Sequence, residues 1–290
     1  MKVIPGRWKI PSRDRVVRVA LIAGVVAFAV SSYVYLTLPD VRPLVRVNPR
    51  ITSFMELRAR EAARSGRTIR RVQRWVPYSR ISSHLKRAVL VAEDDAFFQH
   101  EGIDLEQIRR TLEVDLARGR WVRGASTITQ QLAKNLYLSP SRTPLRKLRE
   151  LLITRRLEAQ LSKARIFEIY LNVIEWGDGV WGAEAAAQTY FHTSAAALSR
   201  EQAALLAASI VNPRELNPSR GGRRLLRRQQ LILARMGSVE PPPTPAPTPR
   251  PPDAGDAPDS RAGAEAEASA GSPSPDELLP RVEVRPSESR

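Results

Sequence analysis

Three consecutive acids, Glu93, Asp94 and Asp95, follow the apolar run Ala88–Ala92 and precede Phe97 and Phe98. Acids at the end of a helix oppose its dipole, and like charges repel, so the placement is locally unfavourable. Local conflict of this kind marks functional sites. A carboxylate beside two aromatic rings has its pKa raised, which suits a general base working near neutrality. A solvated acidic turn would use the same residues.

A second polar group lies in Ser126-Thr127-Ile128-Thr129-Gln130-Gln131-Leu132-Ala133-Lys134-Asn135. On a helix, Ser126, Gln130 and Lys134 stack at i, i+4 and i+8, with Ile128, Leu132 and Leu136 nearly opposite. The spacing therefore predicts a core face and a line of hydrogen-bonding side chains ending in a cation. An ordinary amphipathic helix fits the same pattern. Downstream come Arg142, Arg146, Lys147, Arg149 and Glu150. Arg146 and Glu150 are i, i+4 neighbours and could simply form a surface ion pair. With Lys134, however, five cations and one acid fall within 17 residues. Such a cluster suits a diphosphate, which Arg binds bidentately and Lys as a point charge. These cations would stabilise the charge on a departing pyrophosphate. The segment from Lys163 to Phe191, with Gly177, Gly179, Gly182 and an Ala185–Ala187 run, reads as structural: glycines for turns or close approach, alanines for tight helix packing, and Tyr190-Phe191 in the core.

These groups sit in a stretch, 77–237, rich in Leu, Ala, Arg and Gln and poor in Val/Ile alternation, which predicts helices rather than sheet. Helix starts are legible at Ser199-x-x-Gln202, a capping box, and at Thr143-Pro144, a cap with an N1 proline. Ahead of them, Val19–Leu38 is a 20-residue run without charge. At about 1.5 Å per residue it spans roughly 30 Å, a bilayer core. Lys2, Arg7, Lys9, Arg13, Arg15 and Arg18 precede it, with Asp14 the one acid. That bias predicts a cytoplasmic N-terminus and an external remainder. A cleaved signal peptide is the alternative, but the run is long for one and no Ala-x-Ala site follows. Residues 1–40 thus read as N-terminus and single-pass anchor, and 41–76 as a basic connector with one helix, Ser53–Ala63. Arg118–Arg123, basic with one Trp, reads either as a mobile loop at the membrane surface or as an ordinary exposed loop.

Residues 238–290 hold 13 of the 23 prolines and too few apolar residues to bury, the composition of a disordered tail. From Glu240 onward ten acids face five bases, a net of −5, so residues 1–239 carry +21 of the overall +16. A charge of that size invites a polyanion: nucleic acid, anionic lipid or a phosphorylated substrate. With no Cys, disulfides, zinc–thiolate sites and cysteine nucleophiles are excluded. No Gly-rich phosphate loop is present, and the cation cluster can stabilise a leaving group without a nucleotide site. Ser83-x-x-Lys86 matches the Ser-x-x-Lys pattern of acyl-transferring enzymes, yet no Lys-Thr-Gly accompanies it, and it reads as a chance match.

Taken in order, the clusters resemble the five signatures of the peptidoglycan glycosyltransferases, the domain found in bifunctional penicillin-binding proteins and, alone, in monofunctional biosynthetic transglycosylases. They are Glu93-Asp94…Phe97…His100…Gly102; Gly124…Ser126-Thr127-Ile128…Gln130-Gln131…Lys134-Asn135; Arg146-Lys147…Glu150; Lys163…Ile166…Glu168…Tyr170-Leu171-Asn172; and Gly179…Gly182…Ala186…Tyr190-Phe191. The likeness spans about Trp75 to Pro218. It implies a mostly α, lysozyme-like, two-lobed domain behind a single transmembrane helix. It also implies polymerisation of lipid II into glycan strands, with inversion at C1 and release of undecaprenyl pyrophosphate.

By position in the motifs, Glu93 would be the general base, and Lys134, Arg142 and Arg146 would hold the diphosphate. Glu150 would organise those cations or a divalent metal, and Ser126, Gln130, Gln131 and Asn135 would line the substrate site. Mg²⁺ or Mn²⁺ would assist without a dedicated protein site. The resemblance further implies an enzyme of the cell inner membrane with a periplasmic catalytic domain and no transpeptidase. Its partners would be lipid II, the growing lipid-linked glycan, the membrane and cell-wall synthesis proteins, with no nucleic acid. Two other readings compete: a lytic enzyme of lysozyme-like fold, and a non-catalytic membrane-bound scaffold. Cleavage of polymer releases no pyrophosphate, so the cation cluster disfavours the first.

Overall fold

A computed structural model of the chain describes residues 13–68, 71–118, 126–141 and 143–239. Arg142, most of the basic loop (119–125) and the proline-rich tail from Glu240 lie outside the described residues.

The uncharged N-terminal run forms helix α1, Arg13–Leu36. Its segment Val17–Leu36 is long and apolar enough to cross a membrane, with a mean hydropathy of 2.1, and its side chains are almost all exposed. The span is set two residues earlier than the apolar run suggests. Thr37 turns its hydroxyl back onto the Tyr33 carbonyl at 2.7 Å, ending the helix, and Leu38 is buried in the domain instead. Pro39, two residues on, has no N–H with which to continue the helix.

Residues 41–76 lie along the domain. Helix α2, Ser53–Arg64, is capped by Thr52 and packs on α5, Ile128–Tyr137, where the Ser53 hydroxyl donates to the Leu136 carbonyl at 3.0 Å. Beyond it, the two-residue strand β1, Val72–Gln73, runs parallel to β3, Val180–Trp181, which pairs antiparallel with β2, Glu175–Gly177. This small sheet, in order β1-β3-β2, is the part that composition does not foretell: strands of two or three residues have no alternation to read.

The remaining elements are helical. Helix α3, Ser83–Glu93, packs against α9, Arg200–Ser209, and α10, Arg223–Arg235, which also pack on each other. Helix α5 packs against α6, Pro144–Gln160, and α7, Lys163–Val173. Helices α4, Leu105–Arg118, and α8, Ala183–Phe191, complete the set among the described residues. The capping box at Ser199/Gln202 and the Thr143 cap with Pro144 at the first turn form as the sequence predicts. A single buried cluster joins the helices, with Leu85, Leu90, Phe97, Ile128, Leu132, Ile153, Phe167 and Tyr170 fully buried. Each such side chain contributes about 1.5–3 kcal/mol by leaving water.

Two glycines are required by close approach. A Cβ at Gly182, whose φ is 82°, would stand 2.6 Å from the Asn172 carbonyl oxygen. At Gly177 it would stand 1.9 Å from the Tyr190 hydroxyl, which donates to the Trp176 carbonyl. Tyr190 and Phe191 pack on the core while staying partly exposed.

Candidate active site

The three acids after α3 have three different fates. Asp95 is at the surface and pairs with Arg235 at 2.7 Å. Asp94 is buried: one carboxylate oxygen accepts the Ile128 backbone N–H at 2.9 Å, at the first turn of α5, and the other meets His100 Nε2 at 2.9 Å. A carboxylate at a helix N-terminus is stabilised by the dipole and by an otherwise unpaired N–H, so the unfavourable end of α3 is offset by the favourable start of α5. Glu93 differs from both. It is the last residue of α3, partly accessible, at the seam between the α3/α9/α10 group and the α5/α6/α7 group.

Burial pushes the Glu93 carboxyl above the usual range. The Gln131 hydrogen bond and the nearby charges of Arg228 and Lys134 act against that rise, while Asp94 adds to it. Gln131 Nε2 donates to Glu93 Oε2 at 2.8 Å, and Gln131 Oε1 accepts from the Tyr170 hydroxyl at 2.9 Å. Tyr170 is fully buried and its phenol is pushed well above its ordinary pKa, first by burial and then by the charges of Glu93 and Asp94. It therefore stays protonated and donates. That fixes the Gln131 amide with its nitrogen toward Glu93.

One turn along α5 from Gln131, Lys134 is partly buried with its ammonium 5.6 Å from the centre of the Phe54 ring on α2, within cation–π range. Burial lowers its pKa; Glu150 and Glu93 raise it, and Arg146 and Lys147 lower it. Glu150 on α6 is 4 % exposed. Its carboxylate takes Arg146 Nη1 on one oxygen at 2.6 Å and Lys147 Nζ on the other. The arrangement is one buried anion under three cations, with Arg146 Nε buried and without a partner. A base and an excess of positive charge thus stand on adjoining elements, as displacement of an anionic leaving group by a hydroxyl requires.

The expected line of side chains from Ser126 through Gln130 to Lys134 does not form. Helix α5 begins at Ile128, so Ser126 precedes it and is exposed. Gln130 is buried and closes a capping box with Thr127, its Oε1 accepting the Thr127 N–H at 3.2 Å. Asn135 is also buried and donates to the Gln131 carbonyl at 2.8 Å. Of the side chains expected on α5 to meet substrate, Gln131 and Lys134 are the two that join Glu93, Arg146 and Glu150. Arg142 lies outside the described residues.

Three participants are not evident from local sequence. Tyr170 falls in a segment that reads as structural, while Phe54 and Arg228 come from α2 and α10, far away along the chain. The Ser83-x-x-Lys86 match has no chemistry of its own: the buried Lys86 ammonium stacks 4.0 Å from the Tyr78 ring centre, and burial lowers its pKa.

For a metal, the densest donor group among the described residues is Asp94, His100 and Asp104, with ligand atoms within 4.8 Å of one another. Both Asp94 oxygens already hold partners, and Asp104 caps α4 by accepting the Gln107 N–H at 2.7 Å. At Glu150 both oxygens are likewise engaged. In this structure these carboxylates are tied to protein groups.

The comparisons with known proteins converge. The Transglycosylase family profile matches residues 61–237. A biosynthetic peptidoglycan transglycosylase of Dechloromonas aromatica is 52 % identical over 196 residues, 68 % of this chain and 85 % of that protein. Proteins of the same name from Laribacter hongkongensis and Thiobacillus denitrificans are each 52 % identical, over 67 % of this chain and 86 % and 84 % of theirs. The mostly helical architecture is that of the lysozyme-like transglycosylase domain. With a family match over more than half its length, on the residues that hold Glu93, Lys134 and Glu150 together, the chain belongs to the transglycosylase family.

Proposed function

We propose that this chain is a peptidoglycan glycosyltransferase that polymerises lipid II into glycan strands. The observation that carries the reading is the joining of a raised-pKa carboxylate, Glu93, to a group of cations built around Glu150. In the reaction, the acceptor sugar's 4-hydroxyl attacks C1 of the lipid-linked chain and its proton passes to Glu93. The new C–O bond forms as the bond from C1 to the diphosphate oxygen breaks, inverting the anomeric carbon. The electron pair leaves on the lipid diphosphate, where Lys134 and Arg146 meet the developing charge, with Lys147 beside them. Glu150 keeps the cations together when no substrate is bound, since three like charges at close range repel.

At Glu150 both carboxylate oxygens hold cations, so an assisting Mg²⁺ or Mn²⁺ would have to displace one of them to bind there. A metal would enter with the diphosphate. In this reading α1 crosses the cell inner membrane once, with its N-terminus cytoplasmic and the domain on the periplasmic side. The cationic flank ahead of α1 supports that orientation.

Incubation of the purified chain with labelled lipid II and Mg²⁺, with and without the family inhibitor moenomycin, tests the reading. Moenomycin-sensitive glycan ladders are expected. Shortening of preformed glycan would favour a lytic enzyme, and neither activity would leave a scaffold.

A further inference from the structure

Arginines of the catalytic domain hold the end of the membrane-length helix. The last carbonyls of a helix have no partner within it, and a carbonyl facing lipid has no water to replace one. At the end of α1, Arg149 Nη2 donates to the Thr37 carbonyl at 2.9 Å and lies 3.1 Å from its hydroxyl. Arg156 reaches the carbonyls of Tyr35 at 3.5 Å and of Leu38 and Pro39 at 3.4 Å. Its guanidinium lies 5.1 Å from the centre of the Tyr35 ring. Both cations stand at the negative end of the helix dipole. Beyond them, Arg165 secures the next stretch through the Leu44 carbonyl at 2.8 Å and Asn48 at 2.7 Å. Val34, Leu38, Val41 and Leu44 are buried along the same path.

The clamp and the cation cluster share one helix. Arg149 and Arg156 are seven residues apart and lie on one stripe of α6. Glu150 follows Arg149 directly and lies about 100° around the helix, with Arg146 a turn before it. One side of α6 is therefore bonded to α1 while the adjoining side displays the charges. A helix is rigid over this length, so the depth of α1 sets the height of the cluster. A helix serving as a simple tether needs no such bonds.

We propose that Arg149 and Arg156 are positioning residues that hold the Arg146–Lys147–Glu150 cluster at the level of lipid headgroups, where a lipid-linked diphosphate lies. The proposal rests on the reading that α1 crosses a membrane and that the substrate is lipid-linked. Because the chain has no Cys, Ser139→Cys, at an exposed position between α5 and α6, gives a unique labelling site. The labelled full chain is placed in lipid nanodiscs containing nitroxide lipids, with the quencher either at the headgroup or mid-chain.

The headgroup quencher is expected to dominate in the parent. In the Arg149→Ala/Arg156→Ala variant the contrast between the two quenchers should fall at least about twofold, with helical content by circular dichroism unchanged. In the same nanodiscs, the KM for lipid II should rise about tenfold with kcat within about twofold, and in detergent micelles both should stay within about twofold. The Arg149→Lys/Arg156→Lys pair, which keeps the charge but loses the planar fork, should fall between. It decides the matter should the alanine pair fail to fold. An unchanged quenching contrast, or equal losses in nanodiscs and micelles, would overturn the proposal. The quenching arm uses no substrate, so an inactive parent would count against the glycosyltransferase reading and leave the clamp to be judged by depth alone.

Discussion

Gln131 lies between Tyr170 and Glu93, its amide nitrogen 2.8 Å from Glu93 Oε2 and its oxygen 2.9 Å from the Tyr170 hydroxyl. The relay assigns both ends of the amide: an ionised Glu93 can only accept and takes the nitrogen, and the Tyr170 hydroxyl donates to the oxygen. Burial favours the protonated phenol, whose hydroxyl holds the Gln131 oxygen and so supports the end of Gln131 that faces the base. Removing only that hydroxyl, in Tyr170→Phe, should lower kcat about three- to thirtyfold with KM nearly unchanged, since it affects orientation and not binding. Combined with Gln131→Ala, the second loss should be far less than additive. Steady-state kinetics on the four-member cycle checks this, and full additivity would refute the relay.

Glu93→Gln should reduce polymerisation by at least about a hundredfold, the scale of a lost general base. Its amide can still meet Gln131 through oxygen, so the fold should persist. The sign for stability follows from the raised pKa: a carboxyl whose folded value exceeds its unfolded one favours folding at low pH and opposes it as pH rises through the folded value. Replacing it by a neutral amide should therefore leave the melting temperature at pH 8 equal or higher. Thermal scans of parent and variant settle the point; a clear fall would mean that Glu93 has a structural duty.

The same carboxyl sets the acid limb of the rate profile. Activity needs Glu93 ionised, so it should fall as pH drops through its elevated pKa. Arg228, on α10, is one of the charges restraining that elevation. In Arg228→Ala the limb should move to higher pH, while the plateau above it changes less. A profile of kcat/KM against pH for both proteins measures the shift, and a limb moving to lower pH would contradict the arrangement.

Much of this site was legible because its parts are local. The Glu93–Asp95 conflict, the i, i+4 pair of Arg146 and Glu150, and the Thr143-Pro144 start are all visible within a few residues. The conflict overstates the site, however, since Asp94 is resolved by the N-terminus of α5 and Asp95 by Arg235, partners 34 and 140 residues away. Helical spacing likewise overstated Ser126 and Gln130: it assumes that the helix already exists at Ser126, whereas Thr127 and Gln130 are the residues that start it. Phe54 under Lys134 and Arg228 near Glu93 depend on tertiary packing and have no local signature.

Deletion of residues 240–290 should leave the rate on lipid II within about twofold, because Glu93, Gln131, Lys134, Arg146, Glu150, Tyr170 and Arg228 all precede it. Comparison of truncated and full chains in detergent measures this. A large loss would show that the tail contributes to turnover.

Glu150 offers the sharpest separation between holding charge and doing chemistry. Both its oxygens hold cations, and it is the largest influence raising the pKa of Lys134 against burial. Glu150→Gln keeps the shape and removes the charge. Lys134 then loses its main support while Arg146 and Lys147 still repel it, and its pKa should fall further. The enzyme needs Lys134 protonated to meet the diphosphate, so the alkaline limb of kcat/KM should move to lower pH. The acid limb should move little by comparison, because Glu150 is not among the charges that chiefly set Glu93. Activity should be weakened most on the alkaline side and partly recovered as the pH is lowered from there. Loss of activity at every pH, with both limbs unmoved, would instead assign Glu150 a direct role at the reacting atoms.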